Sequence, residues 1–323
     1  MKFGKFVVAA FAALACTGAA FAQDYPSRQV TMVVGYPPGG AVDAVGRLIA
    51  QRLGESLGKP VVVDNKSGAS GNIGAQFVAK APPDGHTLLV APLTSYAMNS
   101  LLLPATTGYQ LDKDFAPVSL VGYLPLVLMA NEAVPASTPA QLVAIAKAKP
   151  ASLNYASSGN GSIEHVAGEM FKRQASVSLL HIPYRGAAPA MTDLLAGQVQ
   201  VMFATSATAM ANMKTGRIKP LMVATPQRIS ALPDVPTARE AGFAGFEVAS
   251  TYAVLAPAGT PPAVVRRLNQ EISKIMQVQE VRQRFQTLGI ETMTSTPEEA
   301  GARVTAELSK WGQVIKAANI KAD

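Results

Sequence analysis

Cysteine is almost missing from this chain: of 323 residues, only Cys16 is one. A single cysteine closes no internal disulfide and builds no thiolate metal site. Histidine is nearly as scarce, and His86, His165 and His181 are not at metal-ligand spacing, so neither a metal nor a cofactor is expected. No pair of carboxylates is arranged distinctively for acid–base work. A hydrolase using Ser158 or Ser162 with His165 is the competing class. However, no Gly-x-Ser-x-Gly elbow surrounds either serine, and a nucleophile also needs an oriented base and an oxyanion site. The chain is therefore not expected to be an enzyme. Charged residues make up only 15% and form no run resembling a nucleic-acid arm, which argues against a nucleic-acid partner. After residue 22 no stretch approaches the roughly 20 apolar residues of a membrane span.

What is present begins with a processing signal. Lys2 and Lys5 form a basic start, Phe6 to Ala15 is apolar and uncharged, and Ala20-Phe21-Ala22 is a small-x-small site. Together they predict a signal peptide over residues 1–22, cleavage before Gln23, and a periplasmic location. Lipidation at Cys16 is the alternative, but Ala13 stands where a lipoprotein signal wants a large aliphatic residue. The formal charge is +7, from 28 Lys and Arg against 21 Asp and Glu. Without Lys2 and Lys5 the balance is 26 against 21, a modest excess that a solvated basic surface explains. With no disulfide, the mature chain must rest on its core, and about 300 residues suffice for one, commonly as two domains.

Short β-branched runs alternate with helical patterns. Gln29–Gly35, Pro60–Asp64, Thr87–Ala91 and Pro117–Gly122 read as strands. Val42, Val45, Leu48, Ile49 and Leu53 repeat at helical spacing between the first two. The pattern restarts with a strand at Pro125–Ala130 and runs through further strands to Ile218–Thr225. Thr260 reads as the N-cap of a helix beginning with proline. Such alternation predicts an α/β fold with a parallel sheet and crossover helices on both faces. Two units without a flexible linker predict two lobes: 23–124 with 248–323, and 125–247. A cleft between two open sheets would bind a ligand beyond the carboxyl ends of their strands.

Two strand-to-helix turns stand out. Tyr36-Pro37-Pro38-Gly39-Gly40-Ala41-Val42-Asp43 brings two glycines to the start of a helix, where free N–H groups and the dipole favour an anion. It lacks the lysine-hydroxyl pair of a Walker loop and the third glycine of a dinucleotide fingerprint. An ordinary tight turn with Asp43 in the first helical turn fits these residues equally well. Ser157-Ser158-Gly159-Asn160-Gly161-Ser162 is a second donor-rich turn, with His165 one helical turn further on. Plain capping by Ser162 explains part of it, but one such loop per lobe suggests a grip from two sides.

The chain resembles the Bug-type (TctC-like) receptors of tripartite tricarboxylate transporters. The resemblance rests on Gly39–Asp43, Ala79–Leu89, Lys113–Leu120, Ser158–Ser162 with His165, His181–Gly186, Leu232–Thr237 and Ala256–Pro261 in order, and it covers nearly the whole mature chain. It implies a two-lobed type II periplasmic-binding fold that closes on a small carboxylate and hands it to one small and one large integral-membrane subunit. A monomer is expected. Carried over, the ligand-binding residues are Tyr36, Gly39, Gly40, Ala41 and Asp43, facing Ser158, Asn160, Gly161 and Ser162. The Thr94-Ser95 turn matches a loop that faces the pocket.

Two departures bear on the ligand. Ala204-Thr205-Ser206 stands where relatives carry an acidic or amide pair, and Thr251-Tyr252-Ala253 replaces an aromatic pair followed by glycine. A far-end polar group would then meet hydroxyls such as Thr205, which argues against an ammonium, although Asp43 remains available to one. Dicarboxylates and aromatic or heteroaromatic carboxylates both remain. Arg185 as a carboxylate clamp competes with a surface or hinge role, which is preferred. Met191, Met202, Met210, Met213 and Met222 read as core filling rather than a pocket. Closure is expected to bend Leu124–Leu126 and Glu247–Ser250, and Gly40→Val is expected to weaken binding strongly. A sensory protein presenting its ligand to a membrane kinase needs the same cleft and stays open as an alternative.

Overall fold

The computed structural model describes residues 25–320; the expected signal segment and its cleavage point lie outside the described residues. Strand β1 (Val30–Val34) is a β-branched run buried at every position but Thr31, as suits a strand covered on both faces. It pairs in parallel with β2 (Val61–Asn65) and β3 (Thr87–Pro92). Helices α1 (Ala41–Leu57) and α2 (Asn72–Ala79) make the crossovers. Val42, Val45, Ile49 and Leu53 form the buried stripe of α1. A Cβ on Gly46 would lie 2.8 Å from Val34 Cγ2, so glycine lets this helix settle onto the sheet.

After α3 (Leu93–Leu102), the expected pair of strands Pro117–Gly122 and Pro125–Ala130 is instead one strand, β4 (Phe115–Asn131), of 17 residues. Up to Pro125 it pairs with β9 (Ala249–Pro257). From Leu126 onward it pairs with β7 (Val201–Thr205), and from Val127 with β8 (Ile218–Val223). Proline donates no ladder hydrogen bond, and Pro125 stands where the partner changes, so the strand continues through it. Beside this point the returning chain is tied in: Leu126 N–H donates to Val248 O at 3.1 Å, and Val248 N–H to Ala224 O at 2.9 Å.

The second half holds α4 (Pro139–Ala148), β5 (Asn154–Ser157), α5 (Ile163–Ala175), β6 (Leu180–Pro183), α6 (Ala187–Ala196) and α7 (Ser206–Met213). Strand β5 runs parallel to β6 and β7. The sheet order β2-β1-β3-β9-β4-β7-β5-β6 is mixed, not parallel throughout as the alternation predicts. β9 is antiparallel to β3 and β4, and β4 is antiparallel to β7. The cause is topological: β4 leaves the first half and β9 returns to it, so the two run in opposite directions.

The chain ends with α8 (Pro262–Ile275), α9 (Gln279–Thr287), the two-residue β10 (Glu291–Thr292) on β4, and α10 (Pro297–Ala318). Thr260 does not cap α8. The cap is Pro261, and the Thr260 hydroxyl donates back to Pro257 O at 2.8 Å, because Pro261-Pro262 fix φ and move the helix start one residue on. α10 carries a full capping box, with Thr296 and Glu299 bonding each other's backbone.

One apolar cluster runs through both halves, including Val33, Tyr96, Leu126, Leu128, Phe171, Phe203 and Trp311. Met191 and Met202 lie in a separate second-half core, Met210 and Met213 pack at its edge, and Met222 joins the shared cluster. Met191, Met202 and Met222 fill the interior, whereas Met210 and Met213 are half-buried and line a cavity beside Leu232. Among the described residues, no helix is long and apolar enough to cross a membrane.

Candidate functional site

Three strand-to-helix turns and the body of α3 converge on a cleft of about 510 Å³. The first turn leaves β1 at Tyr36. Its ring stacks on Tyr96, with centroids 6.5 Å apart, and its hydroxyl donates to Ser70 O at 3.0 Å. Burial outweighs a hydrogen bond from Ser95 and pushes the Tyr36 phenol up to about 12, so it stays a neutral donor. The rest of the loop turns in on itself. Asp43 is 3% exposed. Its carboxylate accepts from Gly39 N–H and Arg47 Nε, both at 2.9 Å, and from Asn65 Nδ2 at 2.8 Å. Burial alone would raise its pKa, but these bonds outweigh it and hold the carboxyl below its ordinary value. Gly39, Gly40, Ala41 and Asp43 thus form a braced turn behind Tyr36 and do not line the cleft.

A second turn, Gly68-Ala69-Ser70-Gly71, brings Ser70 to the cleft in the left-handed region, φ 55°. Its carbonyl accepts from Tyr36 and from Asn99 Nδ2 at 3.1 Å. From α3 come Ser95, Met98, Asn99 and Leu102. Thr94, one residue before Ser95, points the other way. It is fully buried, with Oγ1 3.0 Å from Ala249 O and 2.9 Å from Glu307 Oε2.

The opposite wall is the turn after β5. Ser158, Gly159, Asn160, Gly161 and Ser162 all line the cleft, followed by Ile163 and Glu164 of α5. Gly159 and Gly161 have φ of 135° and 72°, which glycine alone adopts without strain. Gly161 N–H donates to His165 Nδ1 at 3.0 Å, and Ser162 Oγ caps the helix by accepting His165 N–H at 3.2 Å. The Ser158 hydroxyl is given to Glu164 Oε2 at 2.7 Å. These commitments differ from a serine–histidine couple, in which the ring would take the serine's proton. Beneath the loop, the His165 and His181 rings stack at 4.0 Å, and Tyr155 stacks on His181 at 4.8 Å. Burial, then the neighbouring His165, lowers His181 to about 4.

Of the residues expected at the site, Tyr36, Ser95, Ser158, Asn160, Gly161 and Ser162 come together around one space. Thr205 does not reach it. It caps α7, accepting Thr208 N–H at 3.2 Å. Thr251 lies on a different cavity beside α10, and Arg185 is exposed and outside the cleft lining. Sequence reasoning missed Ser70, Asn99 and Glu164. Ser70 had a signal, since Ser67-Gly68-Ala69-Ser70-Gly71 repeats the glycine and hydroxyl composition of the other loop between a strand and a helix. Asn99 and Glu164 carried none.

Chemically, the walls offer hydroxyls, amides and the first N–H groups of α5, which have no partner within their helix. The floor is apolar, made by Met98, Leu102, Leu103 and Ile163. None of the described residues lining the cleft is lysine or arginine, and one, Glu164, is a carboxylate.

Residues 45–320 match the family described as the tripartite tricarboxylate transporter family receptor. A protein of Pseudomonas sp. (strain P51), described as the UPF0065 protein in the tcbD-tcbE intergenic region, is 42% identical over 296 residues, covering 90% of this chain and 86% of its own. An R. palustris protein solved with adipate superposes with a TM-score of 0.77 at 36% identity, covering 92% of this chain and 99% of that one. MatC from Rhodopseudomonas palustris, with bound malate, superposes with a TM-score of 0.73 at 34% identity, covering 90% and 100%.

Proposed function

The chain belongs to the tripartite tricarboxylate transporter receptor family, and from that premise we propose that it captures a small carboxylate in the interlobe cleft and delivers it to the membrane subunits of such a transporter. One observation carries the reading: glycine- and serine-rich loops from the two halves meet across a single cleft of about 510 Å³ with neutral donors on both walls. Backbone N–H groups at a helix start and hydroxyls hold a carboxylate without a cation. The two R. palustris relatives with adipate and malate support a carboxylate as the ligand class. On this reading Tyr36, Ser95, Ser158, Asn160, Gly161 and Ser162 touch the ligand, and the Gly39–Asp43 turn holds Tyr36 in place. The ligand is a dicarboxylate or an aromatic or heteroaromatic carboxylate. The protein works as a periplasmic monomer after cleavage before Gln23, meets one small and one large membrane subunit, and does no chemistry on its ligand. The lobes are 23–124 with 248–323, and 125–247. They close by bending at Leu124–Leu126 and Glu247–Ser250, where the strand pairing of β4 changes partner.

The test is thermal unfolding of ligand-stripped residues 23–323 against small carboxylates and their neutral amides. A ligand at about a hundred times its dissociation constant adds about 2.7 kcal/mol to the folded state, which raises the midpoint by several degrees. Stabilisation by an acid and not its amide is the expected result. Equal stabilisation by both removes the carboxylate from the recognition.

A further inference from the structure

The cleft that is proposed to hold an anion contains an anion of its own. Glu164 is the second residue of α5, is 7% exposed, and lines the space between the loops. Its position in the first helical turn suits a negative charge, and Ser158 Oγ donates to Oε2 at 2.7 Å. A carboxylate accepts about four hydrogen bonds, and one in a cleft that excludes water on ligand binding needs them filled. With no lysine or arginine in the lining, no protein cation of the cleft wall stands beside this carboxylate, and a donor carried by the ligand would serve it.

Resting on the receptor reading, we infer that Glu164 selects the ligand: the acid this protein takes carries a hydrogen-bond donor, a hydroxyl or an amino group, placed to meet Glu164 while its carboxylate lies on the donors of the loops. A bare second carboxylate at that position faces like charge and is disfavoured. This reverses the argument that pointed away from an amino group. That argument relied on Thr205 and Thr251 meeting the ligand's far end, and both lie elsewhere. The donor-bearing acids share one chemistry, and the experiment separates the hydroxyl from the ammonium.

Residues 23–323, and the same chain with Glu164→Gln, are titrated with two matched sets: succinate, malate and aspartate; and benzoate, 4-hydroxybenzoate and 4-aminobenzoate. Glutamine keeps the size of the side chain and an acceptor for Ser158, and the unliganded unfolding midpoint confirms that the variant folds. In the wild type, the donor-bearing member of at least one set binds about 10- to 100-fold tighter than its bare parent, the value of a hydrogen bond to a charged group. Glu164→Gln shrinks that ratio and improves binding of the parent acid. A larger loss for aspartate than for malate assigns the donor as ammonium, and a comparable loss assigns it as hydroxyl. If the parent acids bind as tightly as their substituted partners, or the ratio survives in Glu164→Gln, the inference is overturned while the receptor reading stands. If no acid in either set binds, the carboxylate reading fails and the inference falls with it.

Discussion

In the loop before α1 a buried carboxylate, Asp43, gathers Gly39, Arg47 and Asn65 onto one centre, whereas the loop before α5 rests on two stacked imidazoles and a chain of hydroxyls. The first arrangement spends its polar groups internally and presents one ring, Tyr36, to the cleft. The second keeps its backbone at the surface of the cleft along five successive residues. The difference lies in where the acid sits. Asp43 follows its glycines and reaches back to Gly39 N–H, closing the turn on itself. Glu164 reaches back only to a serine hydroxyl. Both turns bond internally, but the turn before α5 keeps its own residues on the cleft, whereas the turn before α1 sets only Tyr36 there.

The largest expected effect breaks the first brace. Asp43→Ala removes three bonds to a buried acceptor and leaves Gly39 and Asn65 short of partners, costing about 2 kcal/mol or more of stability. Urea unfolding measures it, and a change below about 0.5 kcal/mol would mean that the turn holds without its centre. Next comes a matched pair of glycine substitutions. Gly161→Val forces a β-branched residue into φ 72° and puts a Cβ 2.9 Å from Leu102 Cδ1, a strain of about 1–3 kcal/mol that calorimetry should read as about tenfold or more weaker ligand binding. Gly40→Val falls on extended backbone, φ −80°, with nothing nearer to its Cβ than Pro37 O at 3.9 Å. The strong effect expected from sequence is accordingly withdrawn, and affinity should stay within about twofold while the helix loses only a cap preference.

Acidification separates the two loops in a third way. His181 is neutral in the fold, with a pKa near 4 against 6.5 in the unfolded chain. The unfolded state takes up its proton first, so its share of stability is whole above about pH 6.5 and is lost as pH falls toward 4. Asp43, held below its ordinary value, keeps its share down to about pH 3.9 and loses it only below. Melting curves across this range should show His181→Gln flattening the upper part of the decline and Asp43→Asn the lower part. Identical slopes for all three proteins would contradict both assignments. The smallest effect is expected at Thr205. Thr205→Val removes the cap of α7 at a cost of about 1 kcal/mol and leaves ligand affinity unchanged.

Much of the fold was readable because helical and strand periodicities are local. Val42, Val45, Ile49 and Leu53, at helical spacing in the sequence, are the buried stripe of α1, and the proline after Thr260 marks the start of α8 to within a residue. Pairing was not readable, since Leu89 and Leu255 meet across most of the chain and nothing in either run names the other. Pro125 misled for the same reason. A proline breaks a strand unless its missing bond falls where two partners change over, and that depends on the tertiary arrangement. In the site, the second loop was legible from composition. The first loop was legible only as a loop, because whether Asp43 turns inward or outward depends on Asn65, contributed by β2. Glu164 was invisible: a glutamate in a first helical turn is commonplace, and only the packing of Ser158 and Asn160 beside it makes it part of a cleft.

The position of β9 between β3 and β4 has a consequence for how the molecule is made. Until Ala249–Pro257 arrives, β3 has a bare edge of Leu88, Leu89, Val90 and Ala91, apolar and unpaired, an open invitation to another chain. The whole second half precedes β9 in the chain, so the strand that seals this edge comes late in the sequence. Contacts this distant in sequence form slowly, and the hazard is one of timing: a chain halted before β9 would be prone to self-association through β3, with β9 and the helices α8 to α10 of its own half still missing.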